Sequence, residues 1–306
     1  MLEVSGLYDG SPAGPVDGLD LVVVGAASRD VTPDDSRGWR LGGGVAYCSL
    51  AAARLGLRVG CLMGVDGPAA DATELGLLED AGVLIHRVPL DHAPVFENIE
   101  RDGHRRQRWL SKSDPVPAAA LPDEWRGTRG WLLGPVAGEV GGEWADVAAA
   151  RPDACVAVGW QGLLREFAAD GWVRGVDPSP SPLLAAAGLV SVSVDDLAPG
   201  LGMTELRGFA PRATILLTAG HRGGLALSGS RVHRYPAIPS QAVVDPTGAG
   251  DVLLAALMVV WLLHGELATG RALRFAVAAG SCSVEGAGLG GVPTKAQVAE
   301  RLHPIR

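Results

Sequence analysis

Short apolar runs that stop at a glycine alternate with helical stretches along this chain, and that alternation constrains the fold more than any other feature. The first is LDLVVVGAASRD, whose run closes at Val24 before Gly25. Consecutive apolar positions are what a parallel strand needs when helices cover both of its faces. Asp30 falls just past the strand's end. LGGGVAYCSLAAARLGL follows, with three glycines leading into an alanine-rich helix that Gly56 can close. RVGCLMG reads as a second strand and AADATELGLLEDAG as a second helix ended by Gly82. CVAVGW, LVSVSV and ATILLTAG are further strands, and later helices begin near Gly248, Thr269 and Thr294. Strand and helix in turn predict a doubly wound, mainly parallel α/β sheet.

Between Val83 and Trp109 the pattern changes. VLIHRV, PVFENIE and RRQRWL are divided by polar turns and carry no helical period. They read as a short antiparallel excursion over the site. The expected organisation is one domain over residues 1–306, with small β lid segments at about 31–41 and 86–112. No repeat or low-complexity linker interrupts it.

Charge and cysteine usage exclude several function classes. A net charge of −8 over 306 residues disfavours a nucleic-acid or anionic-membrane binder. The basic cluster His104 to Arg108 runs against that balance and reads as a solvated face. Cys48, Cys61, Cys155 and Cys282 are far apart among apolar neighbours, so they read as buried thiols rather than a zinc site or disulfides. The N-terminal MLEVSGLYDGSPAGPVDG lacks a basic start followed by an apolar block, so the cytoplasm is the expected compartment.

The densest chemistry lies in VVDPTGAGDVLLAALMVVWLL, Val243 to Leu263. Its apolar part, Val252 to Leu263, is shorter than the roughly 20 residues a membrane span needs, so it reads as a core helix. Strand, Asp-Pro turn and Thr-Gly-Ala-Gly opening a helix place unpaired amides at a strand's carboxyl end, where ligands gather in open α/β sheets. Gly248 and Gly250 let the backbone approach an anion, and the helix dipole adds attraction. Asp251, in the first turn and held ionised by that dipole, can accept a proton from a hydroxyl attacking a phosphate beside it. A glycine turn next to an acid is commonplace by itself; the whole string is far more specific.

DPTGAGDVLLAALMV resembles the C-terminal motif of the ribokinase/PfkB family of small-molecule kinases. LGGGVAYCSLAAARLG resembles its N-terminal glycine-pair motif, TILLTAGHRGGLAL its nucleotide-side strand and turn, and EGAGLGGVP its closing loop. The order holds across almost the whole chain. The resemblance implies a ribokinase-like α/β/α sandwich with a small β lid, and transfer of the γ-phosphoryl group of ATP to a hydroxyl with Mg2+. Carried onto these positions, Asp251 is the base, and Gly248, Ala249 and Gly250 form the anion hole. Asp30, Gly42 and Gly43 match positions that bind acceptor hydroxyls. Thr218, Gly220 and Gly223 match the nucleotide-side turn. Asp245 and Thr247, with the Glu285 to Gly288 loop, lie where many relatives bind a monovalent cation such as K+. Where relatives often carry Asn-x-x-Glu for the magnesium shell, this chain reads Ser193 to Asp196, with Asp196 in place of the Glu.

Rival classes have less support. A P-loop kinase needs GxxxxGK[ST], yet the only lysines are Lys112 and Lys295 and neither follows such a loop. The first turn, GAASRD, lacks the GxGxxG of an NAD-dependent oxidoreductase. Against a non-catalytic sugar-sensing module stands the intact Asp251. GxSxG and HExxH are absent.

The middle stretches QRWLSKSDPVP, LLGPVAGEV and VAVGWQGLLREF are similar to those of kinases related to plant myo-inositol kinase. The expected acceptor is therefore myo-inositol or another cyclitol, with ribose, fructose or a nucleoside as alternatives. An ionised Asp30 accepts from two polyol hydroxyls. Asn98 on the lid offers an amide to the same polyol or is an exposed strand residue. Arg106 approaches phosphate on lid closure or is solvated. Trp160 and Gln161 either wall the site or pack in the core, Tyr47, Phe96 and Trp109 are candidate stacking platforms or core residues, and Glu139 and Asp177 are surface acids or site acids at strand ends. A homodimer stays open; no nucleic-acid or membrane partner is expected.

Overall fold

The computed structural model describes residues 18–101, 104–265, 267 and 269–303. The N-terminal stretch read above for a leader lies outside the described residues. β1 (Leu21–Ala26) passes into β2 (Ser28–Val31) and β3 (Trp39–Gly42), then α1 (Gly44–Arg54) and β4 (Val59–Val65). The second predicted helix is two short ones, α2 (Gly67–Ala70) and α3 (Leu75–Asp80), before β5 (Leu84–Pro89), β6 (Val95–Arg101) and β7 (His104–Ser111). Next come β8 (Gly130–Leu133), α4 (Glu143–Ala148), β9 (Cys155–Gly159), β10 (Arg165–Phe167), β11 (Val173–Gly175), α5 (Pro182–Ala186) and β12 (Leu189–Ser193). The chain finishes with α6 (Met203–Phe209), β13 (Thr214–Thr218), β14 (Gly224–Ser228), β15 (Arg231–Tyr235), α7 (Ala249–His264), α8 (Gly270–Ser283) and α9 (Lys295–Leu302).

The main sheet has nine strands in the order β15-β14-β13-β12-β9-β8-β1-β4-β5. All neighbours from β13 to β5 run parallel, while β14 and β15 are antiparallel to their neighbours. Successive strand residues divide between two cores. Leu21, Val23 and Leu132 pack with α1, α7 and α8 on one face; Val22, Val24 and Leu133 pack with α4 and α5 on the other. This is the expected α/β/α sandwich, and it explains why the buried strands read as unbroken apolar runs.

α7 is apolar almost all round because it sits between the sheet and its helical neighbours: Val252 and Leu254 to Val260 are buried. Gly248, at φ 76°, starts it and Gly265, at φ 68°, ends it, both in the left-handed conformation that glycine adopts without strain. The Thr269 and Thr294 hydroxyls cap α8 and α9 by accepting from the amides of Ala272 and Gln297.

The lid is a second sheet, ordered β3-β2-β6-β7. Its first part extends beyond the expected 31–41, and the segment over 84–89 is not lid at all. It is β5, which pairs in parallel with β4 at the edge of the main sheet. At the sheet edge, with β4 as its one strand neighbour, most of it is open to solvent and only Val88 is buried; Leu84 is 57% exposed. A third piece had no counterpart in the sequence reading: β10 and β11 form a two-stranded ribbon whose Trp172 bridges to Arg108 on β7.

From β1 the chain moves outward to β4 and β5, then returns to place β8 on the other flank of β1. Between β1 and β8 the strand order reverses, and in such sheets a crevice opens there beyond the carboxyl ends of the strands.

Candidate active site

A cavity of about 1580 Å3 fills that crevice. Its walls come from strand ends and the segments just after them: Ser28 after β1, Gly159 on β9, Ser193 on β12 and Thr218 on β13. The lid contributes Asp30, Phe96 and Asn98, and the start of α7 contributes Thr247 to Asp251.

Two helix N-termini meet there. α1 begins at Gly44, and a methyl group at that position would come within 3.1 Å of Asp251 Oδ1, so the bare glycine makes room for the carboxylate. Any side chain at Gly248 would strike the Tyr47 ring, which packs the turn from below. Asp251 is partly buried. Its carbonyl accepts from the Cys48 thiol at 3.4 Å. Burial pushes the Asp251 carboxyl up to about 6, with Arg165 pulling it down and Asp196 pushing it up. Desolvation is the largest of these effects, and it leaves the carboxyl titrating closer to neutral pH than a free aspartate while still mainly ionised at pH 7.

On the acceptor side, Asp30 lies on β2, with its carboxylate accepting from the Ser28 hydroxyl at 3.0 Å. Gly42 leaves no space for a side chain against that carboxylate, and Gly43, at φ 91°, runs past the Ala26 carbonyl. Gly43 borders the cavity while Gly42 stands behind Asp30. On the lid, Asn98 pairs across strands with Gln107, whose amide donates to Asn98 Oδ1 at 3.0 Å, and both face the cavity.

The nucleotide-side residues Thr218, Gly220 and Gly223 line the opposite end with Arg222 and Arg234. The Thr218 hydroxyl donates to the Val192 carbonyl at 3.4 Å. Gly223, at φ 84°, brings the turn against the Tyr235 and Ala237 backbone. Asp196 borders the cavity and accepts from the Gln161 amide at 3.0 and 3.2 Å. Trp160 is fully buried and packs edge-on against Phe209, so it belongs to the core while closing the cavity floor; Gln161 belongs to the site.

Asp245 and Gly288 stand outside the cavity wall. One Asp245 oxygen accepts from the Thr247 amide at 2.9 Å and the other from the Gly288 amide at 3.0 Å, so this carboxylate clamps the loop before α7 to the loop before α9. Among the described residues there is no cluster of three or more His, Cys, Asp or Glu arranged to hold a metal ion. Glu139 is wholly buried and accepts from the amides of Ala26, Val136 and Ala137 at 3.2, 3.0 and 2.7 Å. Burial raises its pKa and those amides lower it; it fixes the turn after β8. Asp177 is exposed and lies away from the cavity.

Three residues of the wall escaped the sequence reading in their present roles. Ser28 carried a signal, since it lies two positions before Asp30 on the same strand face. Tyr47, a candidate stacking platform or core residue in the sequence, is buried and supports the glycine turn. Arg165 carried no signal, because a three-residue strand has no measurable period.

Comparison with known proteins agrees with the geometry. Residues 205–295 match the model of the pfkB family carbohydrate kinases. No curated protein matches the sequence. Among solved structures, the chain is similar to a pyrophosphate-dependent kinase in the ribokinase family, complexed with a pyrophosphate analogue and myo-inositol. The TM-score is 0.72 at 18% identity, covering 91% of this chain and 99% of that one. Arabidopsis thaliana ribokinase complexed with ribose and ATP gives 0.66 at 18% identity, covering 94% and 99%. Methanocaldococcus jannaschii nucleoside kinase gives 0.67 at 15% identity, covering 94% and 100%. The resemblance to ribokinase/PfkB kinases and the ribokinase-like fold are thus both borne out, and the kinase matches support a phosphotransferase.

Proposed function

We propose that this protein is a cytoplasmic kinase that transfers the γ-phosphoryl group of ATP to a hydroxyl of a cyclitol, with myo-inositol the foremost acceptor. One observation carries the reading: Asp251, at the amide-bearing mouth of α7, shares a single cavity with the polyol-suited Asp30 and Asn98 at one end and the Thr218 to Gly223 turn at the other. Asp251 removes the proton of the attacking hydroxyl, and the amides of Gly248, Ala249 and Gly250 meet the charge that develops on phosphate. Asp30 accepts from acceptor hydroxyls.

Magnesium carried with a nucleotide keeps several waters and uses one or two protein carboxylates beside the phosphates. Asp196, steadied by Gln161, fits that limited demand. Asp245 and Thr247 with the Glu285 to Gly288 loop form the expected place for a K+ ion, with Asp245 acting there as the clamp between loops rather than through the cavity.

Pyrophosphate is a second donor reading. A solved neighbour uses it, and Arg222 and Arg234 bring positive charge to the donor end. Ala237, Ile238, Val277 and Val284 on the same walls offer apolar surface to a base, which favours ATP.

The deciding experiment is a transfer screen with Mg2+ in which ATP and pyrophosphate are each offered with cyclitols, pentoses, hexoses and nucleosides, in K+ and K+-free buffer. ATP-dependent phosphorylation of myo-inositol is expected. Much higher kcat/KM for ribose or adenosine removes the cyclitol assignment, and turnover with pyrophosphate alone removes ATP.

A further inference from the structure

One wall at the donor end of the cavity is the segment 236–248 between β15 and α7, which carries no helix or strand. Pro236 to Ser240 and Val243 border the cavity from it. Burial holds little of this segment. Ile238 packs partly against the core, whereas Pro239 and Gln241 to Val244 are exposed, Val243 at 67% and Val244 at 60%. A stretch with so little apolar anchorage and no ladder of its own keeps its shape through hydrogen bonds to what surrounds it. Among the described residues, four of its backbone groups lead to one place. The Val244 and Asp245 amides donate to the Val284 carbonyl at 2.7 and 3.2 Å, the Gln241 amide donates to a Glu285 carboxylate oxygen, and the Pro239 carbonyl accepts from Arg301 at 3.2 Å.

Arg301 organises that place from α9. The helix is a firm mount, with Val298 and Leu302 buried and its first turn capped by Thr294. Arg301 follows Val298 by three positions, so it stands beside that buried stripe. Its Nη2 donates to both Glu285 oxygens at 2.7 Å, and its Nη1 donates to the Ser281 hydroxyl at 2.7 Å as well as to Pro239. An exposed ion pair would contribute little. This one is shielded, with 14% of the Arg301 and 24% of the Glu285 side chain exposed, and its charge-assisted bonds leave one planar group in fixed directions. We infer that Arg301 is a positioning residue for the phosphoryl donor: through Glu285 and Pro239 it latches the segment 236–248 in place without touching the ligand. The inference rests on the kinase reading. Neither Arg301 nor Glu285 borders the cavity, whereas Ser281 and the latched segment do. Asp251 and Asp30 are carried by α7 and the lid, which the latch does not support. Its loss therefore falls on donor binding rather than on the acceptor or the chemical step.

The test is steady-state transfer from ATP and Mg2+ to myo-inositol, or to the acceptor found in the screen, by R301A, R301K and E285Q, each first checked for a cooperative melting transition. R301A is expected to raise the KM for ATP more than about threefold, with kcat and the acceptor KM within about threefold of wild type. R301K can pair with Glu285 but lacks the fork that reaches Ser281 and Pro239 together, so its ATP KM should fall between. E285Q keeps an oxygen for the Gln241 amide and gives up the charge; its loss should be smaller than that of R301A, and the double variant should lose no more than R301A alone. Should R301A not fold, R301K and E285Q carry the same comparison. An ATP KM within about threefold of wild type, or an equal loss for ATP and acceptor, overturns the inference and leaves the kinase reading standing. If the wild type turns over no acceptor, the kinase reading fails, and hydrogen exchange judges Arg301 separately. Faster exchange over 236–248 in R301A, with α7 unchanged, supports the latch, and equal exchange in both proteins overturns it.

Discussion

The loop and helix from Val243 to Leu263 and the combined lid and ribbon face each other across one cavity, yet they are built on opposite principles. α7 is locked by burial on nearly every side, with a left-handed glycine at each end, and it carries Asp251 in its first turn. The lid is a thin four-stranded sheet that presents Asp30, Asn98 and Gln107 to the cavity and is joined to the ribbon through the rings of Phe96, Trp109 and Phe167. A buried helix resists displacement, whereas aromatic contacts on a thin sheet can slide and re-form. On the proposed kinase reading, the chemistry falls on the rigid side and the recognition on the adjustable one.

The largest test of that division is Asp251→Asn. Turnover is expected to fall by at least about 100-fold with ATP binding retained, since only the proton acceptor is removed. A rate near wild type in steady-state assays would locate the base elsewhere. Asp30→Ala should act on the other side: kcat/KM for the acceptor should drop by tens-fold, of the order produced by leaving buried polar groups unpaired, with ATP affinity unchanged. An equal loss for ATP would mean that the two ends of the cavity are not separable. Trp109→Ala loosens lid from ribbon without touching α7, so KM and kcat should change together by roughly tenfold or less, the pattern of a hinge or closure defect; an effect confined to melting temperature would make the contact merely structural.

The smallest effect is on stability and has its own sign. The folded Asp251 pKa of about 6 lies above the unfolded value near 4, so the folded state holds the proton more tightly. Its contribution is fully present below about pH 4 and is lost as pH rises through about 6. At pH 7.5 the charged carboxylate is therefore a burden, and Asp251→Asn should raise the melting temperature by about 2–4 °C, equivalent to roughly 1–2 kcal/mol in a chain of this size. Thermal melts at pH 4.5 and 7.5 check it: the gain should be present at the higher pH and small at the lower. If Asp251 is the base proposed above, the acid limb of activity is expected near pH 6, which a pH–rate profile checks.

The parts of the molecule that could be read from sequence are those where one force dominates. Doubly buried strands give unbroken apolar runs, Gly56 and Gly82 mark where helices have ended, and Gly248 marks where α7 starts. The pairing of Asp251 with its turn was legible because it is local. β5 was misassigned because an edge strand with a wet face reads like a lid strand. The ribbon was missed because its strands are three residues long and owe their place to Phe96 and Trp109, about 70 and 60 residues earlier in the chain. Arg165 and the clamp made by Asp245 depend on contacts between distant segments, which no local pattern announces.

The main sheet does not close on itself, and its two outermost strands therefore offer unpaired backbone to any neighbouring chain. β15 reads RVHRY, with Arg231, His233 and Arg234 along it, and β5 carries His86 and Arg87 and stops at Pro89. Cations and a terminal proline are effective guards against further strand addition. Replacing the β15 arginines with valine is therefore expected to turn that rim into a template for intermolecular pairing, seen as a rise in light scattering as the protein is concentrated.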